Sequence, residues 1–130
     1  MTDQPEMVLD ASALLAFLHQ EPGADIVEHV LDGSVISTVN WLEVSRKSLE
    51  WGRPVGLLRV GFAELGLDIA PFTVEDAETA AEMYQATRSS GLSLGDRACL
   101  ALARRLGLPA LTADRRWIDV QAGVRVQLIR

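Results

Sequence analysis

Short apolar runs alternate along this chain with longer stretches of helical period. No other feature restricts its fold as much. The runs are "MVLD", "SVIST", "LDIAPF", "PALTAD" and "VRVQLIR". Strands separated by helices cannot pair as tight hairpins. Each connection has to cross over, so the expectation is a set of βαβ units around a mostly parallel sheet.

Punctuation fixes the elements. The first strand ends at Asp10, and a helix over 12–21 follows with Ser12 available as its cap, up to the break at Pro22 and Gly23. In the helix ending at Gly33, Ile26, Val27, Val30 and Leu31 share a face. After "SVIST", residues 39–52 are helical in period, with Val39, Leu42, Arg46 and Leu49 along one stripe. Pro54 opens a further helix that Gly66 closes. Residues 73–91 predict one long helix, with Thr73 as its cap, acids in its first turn and Gly91 at its end. Residues 93–107 predict another, placing Cys99, Leu102, Ala103 and Leu106 on one face before Gly107 and Pro109. The C-terminal run alternates like an edge strand.

The chain has 130 residues, 48% of them hydrophobic, which fits one domain over 1–130 with a core that needs no staples. A single cysteine excludes an internal disulfide, and His19 and His29 stand apart from Cys99, so no zinc-ligand spacing exists. Cys99 is expected as a buried small hydrophobe in a reducing, cytoplasmic setting. Asp3 and Glu6 with no early Lys or Arg argue against a secretory signal, and "ASALLAFL" is too short to span a bilayer.

Charge is segregated. Residues 1–43 hold eight acids and no Lys or Arg, whereas residues 88–130 hold eight Arg and three Asp. The net charge of −6 therefore does not exclude an RNA ligand gathered on an arginine-bearing rim. Solvated faces that segregate only in sequence explain the charges equally well.

In an open α/β sheet, ligands bind outside the carboxyl ends of the strands. Asp10 ends the first strand and Asp114 follows "PALT". Glu43 lies about one turn into its helix, and Asp96 lies in the first turn of another. Parallel strands would bring these acids to one edge, where their mutual repulsion is relieved most simply by a divalent cation such as Mg²⁺ or Mn²⁺. Such an ion can generate hydroxide and neutralise charge on a phosphodiester. Each acid also has a plainer role. Asp10 can cap a helix, and Glu43 can pair with Lys47. Asp96 can form a capping box with Ser93, and Asp114 can cap a short helix at "RRW". Ser12, Asn40 and Thr112 are candidates to orient the acids, and Arg97, Arg115 and Arg116 to hold RNA phosphate. Asp119 fits better as exposed surface. Trp41, Trp51 and Trp117 can stack bases or simply pack.

"MVLDASALLAFL" resembles the opening motif of PIN-domain ribonucleases, and "STVNWLEV" resembles their second motif, with Glu43 in the matching place. "LSLGDRACLALARRLGLPALTADRRW" is similar to the third and fourth motifs of the VapC toxins of VapBC toxin–antitoxin pairs. The resemblance implies a three-layer α/β/α fold with a parallel sheet of four or five strands. It implies a Mg²⁺- or Mn²⁺-dependent endoribonuclease that inhibits translation. It implies a cognate VapB-like antitoxin and a toxin homodimer. Carried over by position, Asp10, Glu43, Asp96 and Asp114 match the metal-binding acids.

Other classes fit less well. A phosphoacceptor signalling domain needs a Lys near the C-terminal strands, and the only Lys is Lys47. A haloacid-dehalogenase-type phosphatase needs an acid two residues after Asp10, where Ser12 stands. A non-catalytic PIN-like interaction module remains an alternative, against which the four retained acids weigh.

Overall fold

The computed structural model describes residues 6–130; Asp3 of the acidic N-terminal third lies outside the described residues. Five parallel strands form one sheet in the order β3-β2-β1-β4-β5. They are β1 (Val8–Leu9), β2 (Val35–Ser37), β3 (Asp68–Ala70), β4 (Ala110–Thr112) and β5 (Val126–Leu128). The helices are α1 (Ala11–Leu18), α2 (Ala24–Val30), α3 (Thr38–Glu50), α4 (Val55–Glu64), α5 (Val74–Glu82), α6 (Tyr84–Thr87) and α7 (Leu94–Leu106).

Side chains leave a strand on alternate faces. Leu9, Ile36 and Leu111 therefore enter one core with α1, α2 and Val44 of α3. Their neighbours Val8, Val35 and Ala110 enter a second core with α7, Met83 and Trp117. Two apolar layers on one sheet make a three-layer α/β/α sandwich. Both faces of the central strands are covered, which is why their residues are apolar without alternation.

The strand order reverses direction between β1 and β4. The chain steps outward from β1 through β2 to β3, then crosses to β4 on the other side. Connections diverge at this point, and a crevice opens beyond the carboxyl ends of β1 and β4. Asp10 directly follows β1, and Asp114 follows β4 by two residues.

Two expectations need correction, and the stripe of α3 acquires a direction. The helix expected over 73–91 is broken: α5 ends at Glu82, α6 follows, and a 3-10 turn Arg88–Ser90 leads to Gly91. Buried Thr87 supplies the reason. Its hydroxyl donates to the carbonyl of Met83 at 2.9 Å, and such back-bonding bends helices. The stripe Leu42–Arg46–Leu49 of α3 faces outward, with Leu42 67% and Leu49 60% exposed. The buried positions of α3 are Asn40, Val44 and Ser48. Finally, Asp10 rather than Ser12 caps α1. Asp10 has the extended backbone of a strand end, and its carboxylate accepts from the amide of Ala13 at 2.9 Å.

Candidate active site

Asp10 is almost fully buried, and its carboxylate is saturated with donors. Ser12 Oγ lies 2.7 Å from Oδ1 and 2.9 Å from Oδ2. Thr112 Oγ1 donates to Oδ2 at 2.6 Å. The two hydroxyls also tie β4 to α1, since Ser12 Oγ accepts from the amide of Ala113 at 3.0 Å. Thr112 Oγ1 likewise accepts from the amide of Asp114 at 3.0 Å. Burial still wins over these bonds. It pushes the Asp10 carboxyl up from 3.8 to about 6, with the negative charge of Asp96 adding to the rise.

Glu43 projects from the second turn of α3. Asn40, one turn earlier, donates from Nδ2 to Glu43 Oε1 at 2.9 Å and to the carbonyl of Gly95 at 3.0 Å. This single amide joins α3 to the start of α7. A β-carbon on Gly95 would collide with the Glu43 carboxylate, so only glycine admits the acid there. Burial raises the Glu43 pKa, the Asn40 bond opposes the rise, and Asp96 reinforces it. Among the described residues, the ion pair of Glu43 with Lys47 does not form.

Asp96 has the capping-box geometry foreseen for it. Its Oδ2 accepts from the Ser93 amide at 2.8 Å, and Ser93 Oγ accepts from the Asp96 amide at 3.2 Å. Capping does not remove it from the cluster, because its charge adds to the rise that burial causes in Asp10, Glu43 and the thiol of Cys99, one turn further along α7. Cys99 is wholly buried in the second core, as expected of a small hydrophobe.

Asp114 is different. It caps the 3-10 turn Arg115–Asp119 and is held by Arg116. Arg116 Nε lies 3.0 Å from Oδ1 and Nη2 lies 2.6 Å from Oδ2 of Asp114. The hydrogen bonds from this guanidinium hold the Asp114 carboxyl below its ordinary value. Nη2 also stands 3.9 Å from Asp96, and Nη1 donates to the carbonyl of Gly91 at 2.8 Å. Asp10, Glu43 and Asp96 thus form one electrostatic group, and Arg116 bridges Asp96 to Asp114 beside it.

The other arginines are also engaged. Arg97 donates to the carbonyl of Leu92 at 3.2 Å and lies 5.2 Å from the Tyr84 ring centroid. Arg115 donates to the carbonyl of Arg130 at 3.1 Å. Asp119 is exposed. The sequence reading missed Gly95 as a contact of Glu43. It also missed the pair of Asp76 with Arg105, 2.7 Å apart, which clamps α5 to α7. The Thr73–Asp76 spacing was a usable signal for the cap half of that clamp; the partner 29 residues on was not.

The donor set suits a hard divalent cation: carboxylate, hydroxyl and amide oxygens, with no sulfur or imidazole among them. Two observations fit that chemistry. Asn40 Oδ1 is buried with no hydrogen-bond partner among the described residues. Asp10 is buried with no cation paired to it among those residues. As the side chains lie, no three of the described His, Cys, Asp and Glu residues form a ready-made ion-holding group. An ion that keeps several of its own waters needs fewer direct protein ligands.

An open parallel sheet with carboxylates gathered at its switch point defines a class of α/β proteins that act on or bind ligands at the strand ends. Within that class the family follows from the sequence. Residues 7–123 match the family model described as PIN domain, and the chain belongs to that family. No curated protein matches it. Solved structures share its fold at low identity. A toxin–antitoxin complex from Klebsiella pneumoniae is 18% identical with a TM-score of 0.77, covering 95% of this chain and 98% of the other. DNA-bound VapBC from Salmonella typhimurium is 14% identical with a TM-score of 0.75, covering 98% and 100%. VapBC-5 from Mycobacterium tuberculosis is 21% identical with a TM-score of 0.60, covering 96% and 98%. Among the described residues no helix is long and apolar enough to cross a membrane.

Proposed function

We propose that this chain, as a single PIN domain over 1–130, is a VapC-type endoribonuclease toxin. It cleaves RNA phosphodiester bonds, inhibits translation and is neutralised by a cognate VapB-like antitoxin in the cytoplasm. The observation that carries the reading is the gathering of Asp10, Glu43 and Asp96 at the switch point of the sheet, with Asp10 buried and raised to about 6. A buried acid cluster with no paired cation at Asp10 or Glu43 among the described residues is costly unless a ligand compensates it. The VapBC structures that share the fold support the toxin reading and the antitoxin partner. A homodimer belongs to the same reading.

Asp10, Glu43 and Asp96 would hold Mg²⁺ or Mn²⁺, with Asp114 as a further acid once Arg116 releases it. When bound, the ion supplies an activated water and charge neutralisation at the phosphodiester. Ser12 and Thr112 hold the Asp10 carboxylate in orientation, and Asn40 does the same for Glu43. The test is cleavage of total RNA with Mg²⁺ or Mn²⁺, in excess EDTA, and with Asp96→Asn. Cleavage is expected only for the wild type with metal. Equal cleavage in EDTA, or by the variant, would sink the mechanism.

One observation favours a second reading. Arg116 already occupies Asp114 with three hydrogen bonds from its guanidinium, as a partner's guanidinium would. A non-catalytic interaction module fits that arrangement. Absence of metal-dependent cleavage together with antitoxin binding would favour it.

A further inference from the structure

We infer that the cavity next to the acid cluster is a nucleotide subsite for single-stranded RNA, in which Trp51 stacks a base and Lys47 and Arg130 hold the adjoining phosphates. This rests on the ribonuclease reading and names the part of the substrate that flanks the bond to be cut. Glu43, Lys47 and Trp51 are spaced four residues apart on α3 and its C-terminal cap, so they follow one face from the acid cluster outward. Each step advances about 6 Å along the helix. The cavity, about 300 Å³ in volume, is bounded by Ser12, His19, Lys47, Trp51 and Arg130, with Glu21 at its side. Ser12 is the shared wall, because its hydroxyl is the one that lies 2.7 Å from Asp10.

The three tryptophans divide clearly. Trp117 is fully buried, and Trp41 packs edge-on against Phe62 at 6.1 Å. Trp51 is 65% exposed. His19 backs its indole, with ring centroids 4.5 Å apart and planes inclined by 33°. The Trp51 amide donates to the carbonyls of Lys47 at 3.2 Å and Ser48 at 3.1 Å, so the platform stands on a fixed helix end. Arg130 is fixed too. It donates to the carbonyl of Pro22 at 2.9 Å and lies 3.4 Å from Glu21, while Arg115 holds its backbone carbonyl. Lys47 and Arg130 bring two cationic side chains to the cavity beside the carboxylate of Glu21, whereas the cluster next to it holds only acids. An exposed aromatic backed on one side, flanked by cations and sharing a wall with the acids, is the chemistry that binds a nucleic-acid strand. Leu15 and the Trp51 ring supply the apolar surface a base needs, and Lys47 and Arg130 supply cations for phosphates at its rim.

The test uses the full chain in excess EDTA and a short fluorescein-labelled single-stranded oligoribonucleotide of mixed sequence. Binding is read by anisotropy and by quenching of tryptophan emission. Trp51→Leu should weaken binding roughly tenfold, the scale of one lost base stack. Trp51→Phe, which keeps an aromatic face, should retain binding but lose most of the quenching. Lys47→Ala should weaken binding and lower the salt dependence by about one phosphate contact. Unchanged melting temperatures keep the comparison free of folding effects, and Trp51→Phe serves if Trp51→Leu does not fold. Wild type that cleaves RNA while Trp51→Leu binds as tightly overturns the subsite alone. Wild type that neither binds nor cleaves RNA overturns the ribonuclease reading and the subsite with it. If Trp51→Leu leaves RNA binding intact and abolishes self-association or antitoxin binding, the face is a protein interface and the subsite is overturned.

Discussion

The carboxylate of Glu43 lies against the bare α-carbon of Gly95, held there by the amide of Asn40. An acid of α3, functional on the proposed reading, is thus positioned by the first turn of α7, where any side chain would displace it. Gly95→Ala tests the arrangement. Alanine favours the helix by roughly 0.5–1 kcal/mol, and the atom it strikes is the movable end of a side chain. The variant should melt at or above the wild-type temperature. Its RNA cleavage should fall roughly a hundredfold, as expected for a misplaced catalytic group. Full activity in a stable Gly95→Ala protein would remove Glu43 from the catalytic set.

Asp10 makes stability depend on pH. Its folded pKa of about 6 exceeds the ordinary 3.8, so the native state keeps a proton that the unfolded state has released. Stability therefore falls as pH rises from about 4 to about 6 and is flat above, a loss of about 3 kcal/mol for this group. Asp10→Asn lacks that slope. Urea denaturation in EDTA across this window should show the two proteins diverging as pH rises, with the variant the more stable at neutral pH. Parallel curves would contradict the burial argument.

A cation that binds the folded cluster stabilises it by mass action. Mg²⁺ or Mn²⁺ should raise the melting temperature of wild type more than that of Asp10→Asn. Equal shifts would count against a shared ion.

On the proposed reading, Arg116 competes with a metal for Asp114 and Asp96. Its side chain is 55% exposed, so Arg116→Gln should change stability by less than about 1 kcal/mol. Freed from the guanidinium, Asp114 and Asp96 should bind Mn²⁺ a few-fold more tightly by calorimetry. Weaker binding in the variant would assign Arg116 a supporting role instead.

Asp76 and Arg105 lie away from the cluster and test the fold alone. Asp76 is buried, accepts two hydrogen bonds from Arg105 and completes the Thr73 capping box. Asp76→Ala should destabilise by roughly 2–4 kcal/mol, combining a lost charge-assisted pair and a lost cap. Arg105 holds the Asp76 carboxyl below its ordinary value, so this contribution should fade as pH drops through the acidic range. RNA cleavage at neutral pH should survive in the folded fraction.

These residues also mark what the sequence can convey. Strands and helix ends were legible because caps, glycines and apolar runs act locally, and the positions of Asp10, Asp96 and Asp114 followed from them. The choice between Asp10 and Ser12 as the cap of α1 was not, since both residue types cap and only the strand's extended backbone selects Asp10. The orientation of α3 was not legible for another reason. Its apolar stripe through Leu42 and Leu49 is turned outward, while the polar Asn40 is buried to reach Glu43 and Gly95. Contacts such as Asn40 to Gly95, 55 residues apart, leave no trace in local pattern. Neither does the turn that brings Arg116 back onto Asp114.

The burial of Asp10 also has an evolutionary side. Asparagine can keep the cap over Ala13 while shedding the charge, so one exchange should yield a more stable chain and, on the proposed reading, one that no longer cuts RNA. Selection for stability and selection for toxicity then pull this position in opposite directions. If the chain is the proposed toxin, a lineage released from its need for the nuclease has a downhill path to a harmless, well-folded descendant, and survivors of its expression should be enriched for that replacement.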